Sequence, residues 1–247
     1  MTAAAANSID HLMEKASAAL VATHYFEAEA LALKALERAA SAGDFGRMAR
    51  ICLPLQEARR QKREQALDAG RTVIFHDLPH RTLPIEPGCY LLEPPLIGIE
   101  AADFRALCDR KKVPAMVLCR EPLTSQGKWP IVGVSGTDRE SLVIRVQVPP
   151  PPGFEHSARN GEHGPRPGPP GSWFIATQEA LGDAAIAKVN PKLPWDYRAL
   201  DLLEYLRAVP DHEKLHQALM DACHHASRGP VSDKPRRRAV IDDEWGF

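Results

Sequence analysis

Proline is distributed unevenly along this chain, and its distribution limits what each part can fold into. The sequence has 22 prolines against 16 glycines in 247 residues. Residues 1–70 contain only Pro54, whereas eight prolines fall within residues 149–172. Because proline disrupts the interior of a helix, long helices are confined to the first part and to the spaces between later prolines. The distribution therefore predicts a helical front, a proline-punctuated middle and further helices near the C-terminus.

The helical front shows apolar residues at the 3.6-residue period of amphipathic helices in three successive stretches. Ser8 is placed to cap the first helix, and Ala42-Gly43-Asp44 to end the second and cap the third. Gly70 suits the C-terminal end of the third helix. Pro54 lies inside that helix, which we therefore expect to be kinked or split.

The second stretch carries a family resemblance. Tyr25-Phe26-Glu27-Ala28, followed by Ala32 and Ala35-Leu36, resembles the second half of a tetratricopeptide repeat. The resemblance implies a helical hairpin over about residues 8–70, closely packed through small residues, that binds another protein. Repeat arrays generally need roughly three or more units to stand alone, so we expect the hairpin to pack on the rest of the chain or on a partner. A plain helical hairpin with small interface residues explains the same pattern.

The middle of the chain, from Arg71 onwards, predicts strands. Five short runs rich in Val, Ile and Leu begin near residues 72, 89, 115, 131 and 142, with prolines at their ends. A helical pattern between Ile99 and Lys112 joins the second run to the third, as in a parallel strand–helix–strand unit. The fourth and fifth runs flank residues 135–140, which predict a hairpin loop. We expect a small, irregular sheet.

Residues 149–172 combine eight prolines with five glycines and predict an exposed, extended loop or linker. Its run Pro149–Pro152 could bind an aromatic groove as a polyproline II ligand or serve as a stiff spacer. Helices are predicted beyond it over 178–189, from Pro194 to Val209, and after a cap at Asp211.

The predicted fold class is α+β. A tetratricopeptide-like helical region (1–70) precedes a small mixed α/β domain with C-terminal helices (71–229) and a disordered tail (230–247).

One motif points to catalysis. His212-Glu213-Lys214-Leu215-His216 matches the His-Glu-x-x-His signature of zinc peptidases, whose histidines share a helix face and whose glutamate activates the zinc-bound water. However, Pro210 places the pair on the first helical turn, and a third histidine is absent at Ala222. We expect no resident cofactor. The alternative is a zinc-dependent hydrolase with His212 and His216 as ligands and Glu213 as base.

A second possible metal face comprises His76, Asp77 and His80 at a strand end. The sequence contains neither a phosphate-binding glycine loop nor a dinucleotide fingerprint. These absences disfavour a conventional nucleotide enzyme.

The tail combines a basic cluster with an acidic, aromatic tip. Trp245 and Phe247 are suited to anchor a partner, because aromatic side chains bury much area at little entropic cost. The ending is similar to the acidic, Phe-terminated tips of bacterial single-stranded DNA-binding proteins, which implies docking onto another protein. Trp245 could instead fill a groove on its own domain. The candidate partner-binding residues are Trp245, Phe247, Arg236, Arg237 and Arg238.

Nucleic acid is a further possible partner, because Arg236–Arg238 could pair with phosphates. A second basic face is predicted on the third helix. It comprises Arg47, Arg50, Arg59, Arg60, Lys62 and Arg63.

The location of the protein is predicted from its cysteines and hydropathy. Five scattered cysteines without a Cys-x-x-Cys pair indicate reduced thiols in the cytoplasm. No secretory signal and no run of about 18 apolar residues is present, so we expect no membrane association. A net charge of −1 argues against binding polyanions over the whole surface.

We therefore expect a non-catalytic protein–protein interaction or scaffold protein, with a zinc hydrolase and a nucleic-acid accessory protein as alternatives.

Overall fold

A computed structural model describes residues 3–78, 84–122, 127–136, 142–154, 165–229 and 232. Its elements confirm the predicted α+β class. None of the described helices is long and apolar enough to cross a bilayer. The elements are α1 (Ala3–Val21), α2 (Tyr25–Ser41), α3 (Phe45–Asp68), β1 (Thr72–Phe75), β2 (Gly88–Leu92), α4 (Gly98–Arg110), β3 (Ala115–Arg120), β4 (Trp129–Val134), β5 (Val143–Val148), β6 (Arg166–Pro167), α5 (Gly171–Ala187), α6 (Trp195–Ala208) and α7 (Glu213–Ala226).

The strands form one mixed sheet in the order β5-β4-β3-β2-β1-β6. β1, β2 and β3 are parallel, and β2-α4-β3 is the predicted strand–helix–strand unit. β4 and β5 form an antiparallel pair, and Ser135 Oγ accepts a hydrogen bond of 2.8 Å from Leu142 N at its end. β4 and β5 thus pair as the predicted hairpin requires, and residues 137–141 of its loop lie outside the described residues.

The two faces of the sheet bury separate sets of side chains, as the alternation along a strand requires. On one face Val73 and Tyr90 pack with Phe104 of α4. On the other face, Ile74 and Leu91 join a larger core that includes residues of every other helix. The sheet is therefore covered by α4 on one side and by a helical layer on the other.

The helical front shares this larger core. α1 packs along α2 and α2 along α3, while α3 also packs against α7, β2 and β3. Ile51 and Leu55 of α3 belong to the same buried cluster as Leu215 and Leu219 of α7. The front therefore contacts the rest of the chain through α3.

Pro54 does not split the third helix, which was one of the two outcomes expected at this proline. α3 runs uninterrupted for 24 residues, with Pro54 in its interior. Cys52, Leu55 and Ala58 on either side of the proline are all buried. Their packing continues the same face through the proline and compensates for the one backbone hydrogen bond that it removes.

The described ends of the segment 149–172 are mostly exposed or half-buried, as predicted for a loop, but parts of them pack and pair with the rest of the chain. Pro151 and Pro169 are buried, and Phe154 packs edge-to-face on Trp129. β6 pairs with the edge strand β1, and α5 begins at Gly171. Proline is tolerated here because an edge strand and a helix start need fewer backbone donors.

Gly182 of α5 lies where this helix crosses the start of α7. A Cβ at Gly182 would overlap the imidazole ring of His212. That ring is held in place, because its Nδ1 accepts a hydrogen bond from Leu215 N. We expect Gly182→Ala to destabilise the protein by about 2–3 kcal/mol through overpacking, although alanine favours a helix interior by about 1 kcal/mol. Urea unfolding measures the difference.

Gly46→Ala in α3 is the matched control. A Cβ there would meet its nearest atoms at 3.6 and 3.9 Å, which are ordinary contacts. This variant is expected to be neutral or stabilising. Equal free energies of unfolding for the two variants would contradict the crowding at Gly182.

Candidate functional site

The His-Glu-x-x-His motif lies at the start of α7. His212 is the N-cap residue, with φ −83° and ψ 113°, and α7 itself begins at Glu213. Asp211, which the sequence predicted as the cap, is the residue before His212 and lies outside the helix. His212 replaces it because its Nδ1 accepts a hydrogen bond of 3.2 Å from Leu215 N, the backbone donor that a capping oxygen usually binds.

This hydrogen bond determines which nitrogen of His212 carries the proton. A neutral imidazole has one N–H, and the nitrogen that accepts a hydrogen bond has none. Nε2 is therefore the protonated nitrogen, and it lies 3.5 Å from Glu179 Oε2 and 3.4 Å from Asp183 Oδ1 on α5. While His212 caps α7, Nε2 has no lone pair with which to bind a metal ion.

His216 is held by other partners. Its Nδ1 lies 2.9 Å from the carbonyl oxygen of His212, and its Nε2 lies 3.3 Å from Arg59 Nη1. A carbonyl only accepts and a guanidinium only donates, so Nδ1 carries the proton and Nε2 accepts. Burial and the charge of Arg59 lower the pKa of His216 to about 3. The ring is therefore neutral and both of its nitrogens are used.

Glu213, the candidate base, pairs with Arg63 of α3. His212 faces α5, Glu213 pairs with Arg63 of α3, and His216 contacts Arg59 of α3 and the carbonyl oxygen of His212. The structure does not bring them together as a zinc-hydrolase site requires. The alternative of a zinc hydrolase with His212 and His216 as ligands of one metal therefore stays a prediction, which metal analysis tests.

Glu179, Asp183 and His212 do come together, with donor atoms that lie within 4.8 Å of one another. Sequence reasoning missed this group because the two carboxylates lie on α5, far from the motif in the chain. Lys214 Nζ is 3.2 Å from both carboxylates, whereas His212 Nε2 lies within 3.5 Å of them but makes no hydrogen bond with the described residues. Lys214 balances part of the negative charge of the two carboxylates, so the cluster forms a polar contact between α5 and α7.

The neutral histidines predict a loss of stability in acid. Burial lowers the pKa of both His216 and His212, so the unfolded chain binds more protons than the folded one. This contribution is present above the unfolded pKa of about 6.5 and is lost as the pH falls below it. Between pH 7 and pH 5 we expect His216 alone to account for about 2 kcal/mol of lost stability.

Urea unfolding at several pH values, compared between the protein and His216→Gln, measures this contribution. The variant should lose stability less steeply between pH 7 and pH 5, whatever its stability at pH 7. His11→Gln, at an exposed position of α1, should keep the slope of the unaltered protein. Parallel curves for the protein and His216→Gln would show that His216 does not titrate as inferred.

Five of the six residues of the basic face predicted on α3 pair with neighbouring carboxylates, and the sixth, Arg50, is exposed. Glu29 of α2 lies 2.7 Å from Arg59 Nε and 2.5 Å from Lys62 Nζ. Burial opposes its ionisation, but these two charges lower the pKa of Glu29 to about 2. The other pairs are Arg47 with Asp10 and Asp44, Arg60 with Glu57 and Glu64, Lys62 with Asp109, and Arg63 with Glu213.

A second buried ion cluster lies at the carboxyl ends of the parallel strands. Glu93 is fully buried, with its oxygens 3.1 Å from Arg120 Nε and 2.6 Å from Arg166 Nη2. His76 Nε2 accepts from Arg166 Nε at 3.3 Å, and Nδ1 donates to Pro94 O at 3.3 Å. His76 is therefore occupied within this cluster, and His80 lies outside the described residues. The sequence signal for this cluster was a polar or charged residue at the end of each parallel strand, namely His76 after β1, Glu93 after β2 and Arg120 as the last residue of β3.

The tail residues Trp245, Phe247, Arg236, Arg237 and Arg238 also lie outside the described residues. The last described residue, Ser232, is attached to the start of α6. Asp196 accepts hydrogen bonds from Ser232 N at 2.9 Å and from Ser232 Oγ at 3.0 Å. Ser232 therefore lies beside Asp196, in the first turn of α6.

No protein-family model, curated protein or solved structure matches this chain.

Proposed function

We propose that this is a non-catalytic protein–protein interaction or scaffold protein of the cytoplasm. The observation that carries the proposal is the use of all three motif residues in contacts between helices. A histidine that caps a helix, a histidine bound at both nitrogens and a glutamate paired with arginine support a structural role for the motif.

The partner-binding elements that we propose are the helical front and the tail. Val21 of α1 is 86% exposed and Leu53 of α3 is 65% exposed, so the front offers apolar side chains to a partner. Trp245 and Phe247 supply aromatic anchors on the tail. The five cysteines are free and buried, which supports a reducing compartment.

Affinity capture with the intact chain, a chain ending at Gly229 and the full-length double variant Trp245→Ala/Phe247→Ala tests the proposal. Proteins captured by the intact chain should be lost with both altered forms and should capture the intact chain in the reciprocal experiment. Identical or empty partner sets for all three forms would remove the tail from the proposal.

Metal analysis separates the proposal from its catalytic alternative. We expect no stoichiometric zinc after expression in zinc-supplemented medium. Stoichiometric zinc that is lost in both His212→Gln and His216→Gln, together with hydrolytic activity, would overturn the non-catalytic role.

A further inference from the structure

Two carboxylates of α5 and the imidazole that caps α7 meet where these helices cross, and we call this group the α5–α7 cluster. It comprises Glu179, Asp183 and His212, whose oxygen and nitrogen atoms lie within 4.8 Å of one another. Glu179 and Asp183 are four residues apart on α5, a spacing that places both side chains on one face of a helix. The fold therefore brings together three side chains of the types that bind metal ions.

The imidazole of His212 has an unused nitrogen in this cluster. The residue is fully buried, and its Nε2 has no hydrogen-bond partner among the described residues. The same nitrogen lies 3.5 Å from Glu179 Oε2 and 3.4 Å from Asp183 Oδ1. The ring rests against Gly182, where a Cβ would overlap it, so the backbone of α5 holds Nε2 close to the carboxylates. A buried polar atom without a partner calls for a bound ion or water.

The separations in the cluster match those of ligands on one metal ion. Zinc binds histidine nitrogen and carboxylate oxygen at about 2.0–2.1 Å in tetrahedral geometry, and two ligands so placed lie about 3.4 Å apart. The distances from Nε2 to the two carboxylate oxygens are 3.5 and 3.4 Å. Two carboxylates also carry the charge that neutralises a divalent cation.

Lys214 competes with a metal ion for these carboxylates. Its ammonium lies 3.2 Å from an oxygen of each, and it is the only cationic side chain among the described residues that forms an ion pair with either. The Lys214 side chain is 57% exposed, so its ammonium can turn into solvent when a metal ion binds. The neighbouring Glu213 pairs with Arg63 and stays outside the cluster.

Binding also changes the position of the proton on His212. Nδ1 accepts the cap hydrogen bond from Leu215 N, so Nε2 carries the proton in the absence of a metal ion. To bind a metal ion, Nε2 releases its proton to solvent and Nδ1 takes one up, and the ring stays neutral. The exchange sacrifices the cap hydrogen bond. Together with the competition from Lys214, it makes metal binding reversible.

We propose that the α5–α7 cluster is an exchangeable site for a divalent metal ion, with zinc as the ion that one imidazole and two carboxylates suit. The ion replaces the Lys214 ammonium and joins α5 to the start of α7. His216, whose nitrogens bind Arg59 and a carbonyl oxygen, is not a ligand, so this set differs from the zinc-peptidase pair. The ion is lost on desalting and returns when zinc is added. The inference is independent of the proposed protein partner.

Isothermal titration calorimetry of the desalted full-length chain with zinc chloride measures the affinity. The double variant Glu179→Gln/Asp183→Asn should bind zinc at least about 10-fold more weakly, because it removes two ligands. Lys214→Met should bind about 10-fold more tightly, because the competing charge is gone. Asp221→Asn, at an exposed position of α7, is the matched control and should bind like the unaltered chain.

Nitrogen-15 NMR of the histidine rings identifies the ligand without a substitution in the core. Zinc should move the ring proton of His212 from Nε2 to Nδ1 and leave the ring nitrogens of His216 unchanged. The substituted side chains, Glu179, Asp183 and Lys214, are all partly exposed, so these variants keep the core intact. Absence of zinc binding even in Lys214→Met, undiminished binding in the double variant, or a zinc-dependent change at His216 instead of His212 would overturn the proposal.

Discussion

Arg59→Ala is expected to destabilise the protein by about 3–5 kcal/mol, because it removes one partner of a buried ion pair. The Arg59 guanidinium connects three elements. It donates to Glu29 of α2 at 2.7 Å, to the carbonyl oxygen of Pro210 at 3.1 Å, and lies 3.3 Å from His216 Nε2 of α7. Its loss leaves a carboxylate, a carbonyl and an imidazole nitrogen buried with fewer donors. Urea unfolding at pH 7 measures the effect.

Arg60→Ala is the matched control on the next position of α3. Arg60 pairs with Glu57 and Glu64 at the surface, where ion pairs contribute less than about 1 kcal/mol. The double variant Arg59→Met/Glu29→Leu should recover part of the loss, because it removes the unpaired Glu29 carboxylate while Lys62 keeps Asp109 as its partner. Comparable losses for Arg59→Ala and Arg60→Ala would show that burial does not set the energy of this pair.

Glu93→Ala is expected to cost a similar amount, about 3–5 kcal/mol. Glu93 is fully buried and is the shared partner of Arg120 and Arg166. Without it, two guanidinium groups face each other with no carboxylate between them. Because Arg166 lies on β6 and Arg120 on β3, the variant should also loosen β6 from β1. Hydrogen exchange at residues 72–75 detects this loosening.

Glu121→Ala serves as the control at the same edge of the sheet. Glu121 pairs with Arg145, and both side chains are partly exposed, so the expected loss is below about 1 kcal/mol. If Glu93→Ala unfolds the chain, Glu93→Gln tests the charge instead. Glutamine keeps the shape of the glutamate side chain and one of its acceptor oxygens, but it has no negative charge. Unchanged stability in Glu93→Gln would contradict a charge-dependent role for this carboxylate.

The secondary structure was largely predictable from local patterns. The proline-free front, the five apolar runs and the helical spacing between Ile99 and Lys112 correspond to α1–α3, β1–β5 and α4. Pro54 and the described ends of the segment 149–172 were partial exceptions. In both, packing of neighbouring side chains outweighed the local preference of proline.

The His-Glu-x-x-His motif shows what local patterns could not supply. Its spacing predicts a shared helix face, but the structure makes His212 a cap and joins His216 to Arg59, a residue 157 positions away. The buried partners of Glu93 also come from distant strands.

Local sequence patterns and tertiary contacts therefore determined different features of this protein. Periodicity and proline placement determined the helices, the strands and the α+β class, because these act between residues a few positions apart. Only the tertiary structure decided which ring nitrogen of His212 and of His216 carries the proton. It also decided which cations pair with Glu29 and Glu93. Those depend on which donors and acceptors are buried together once the helices and the sheet pack.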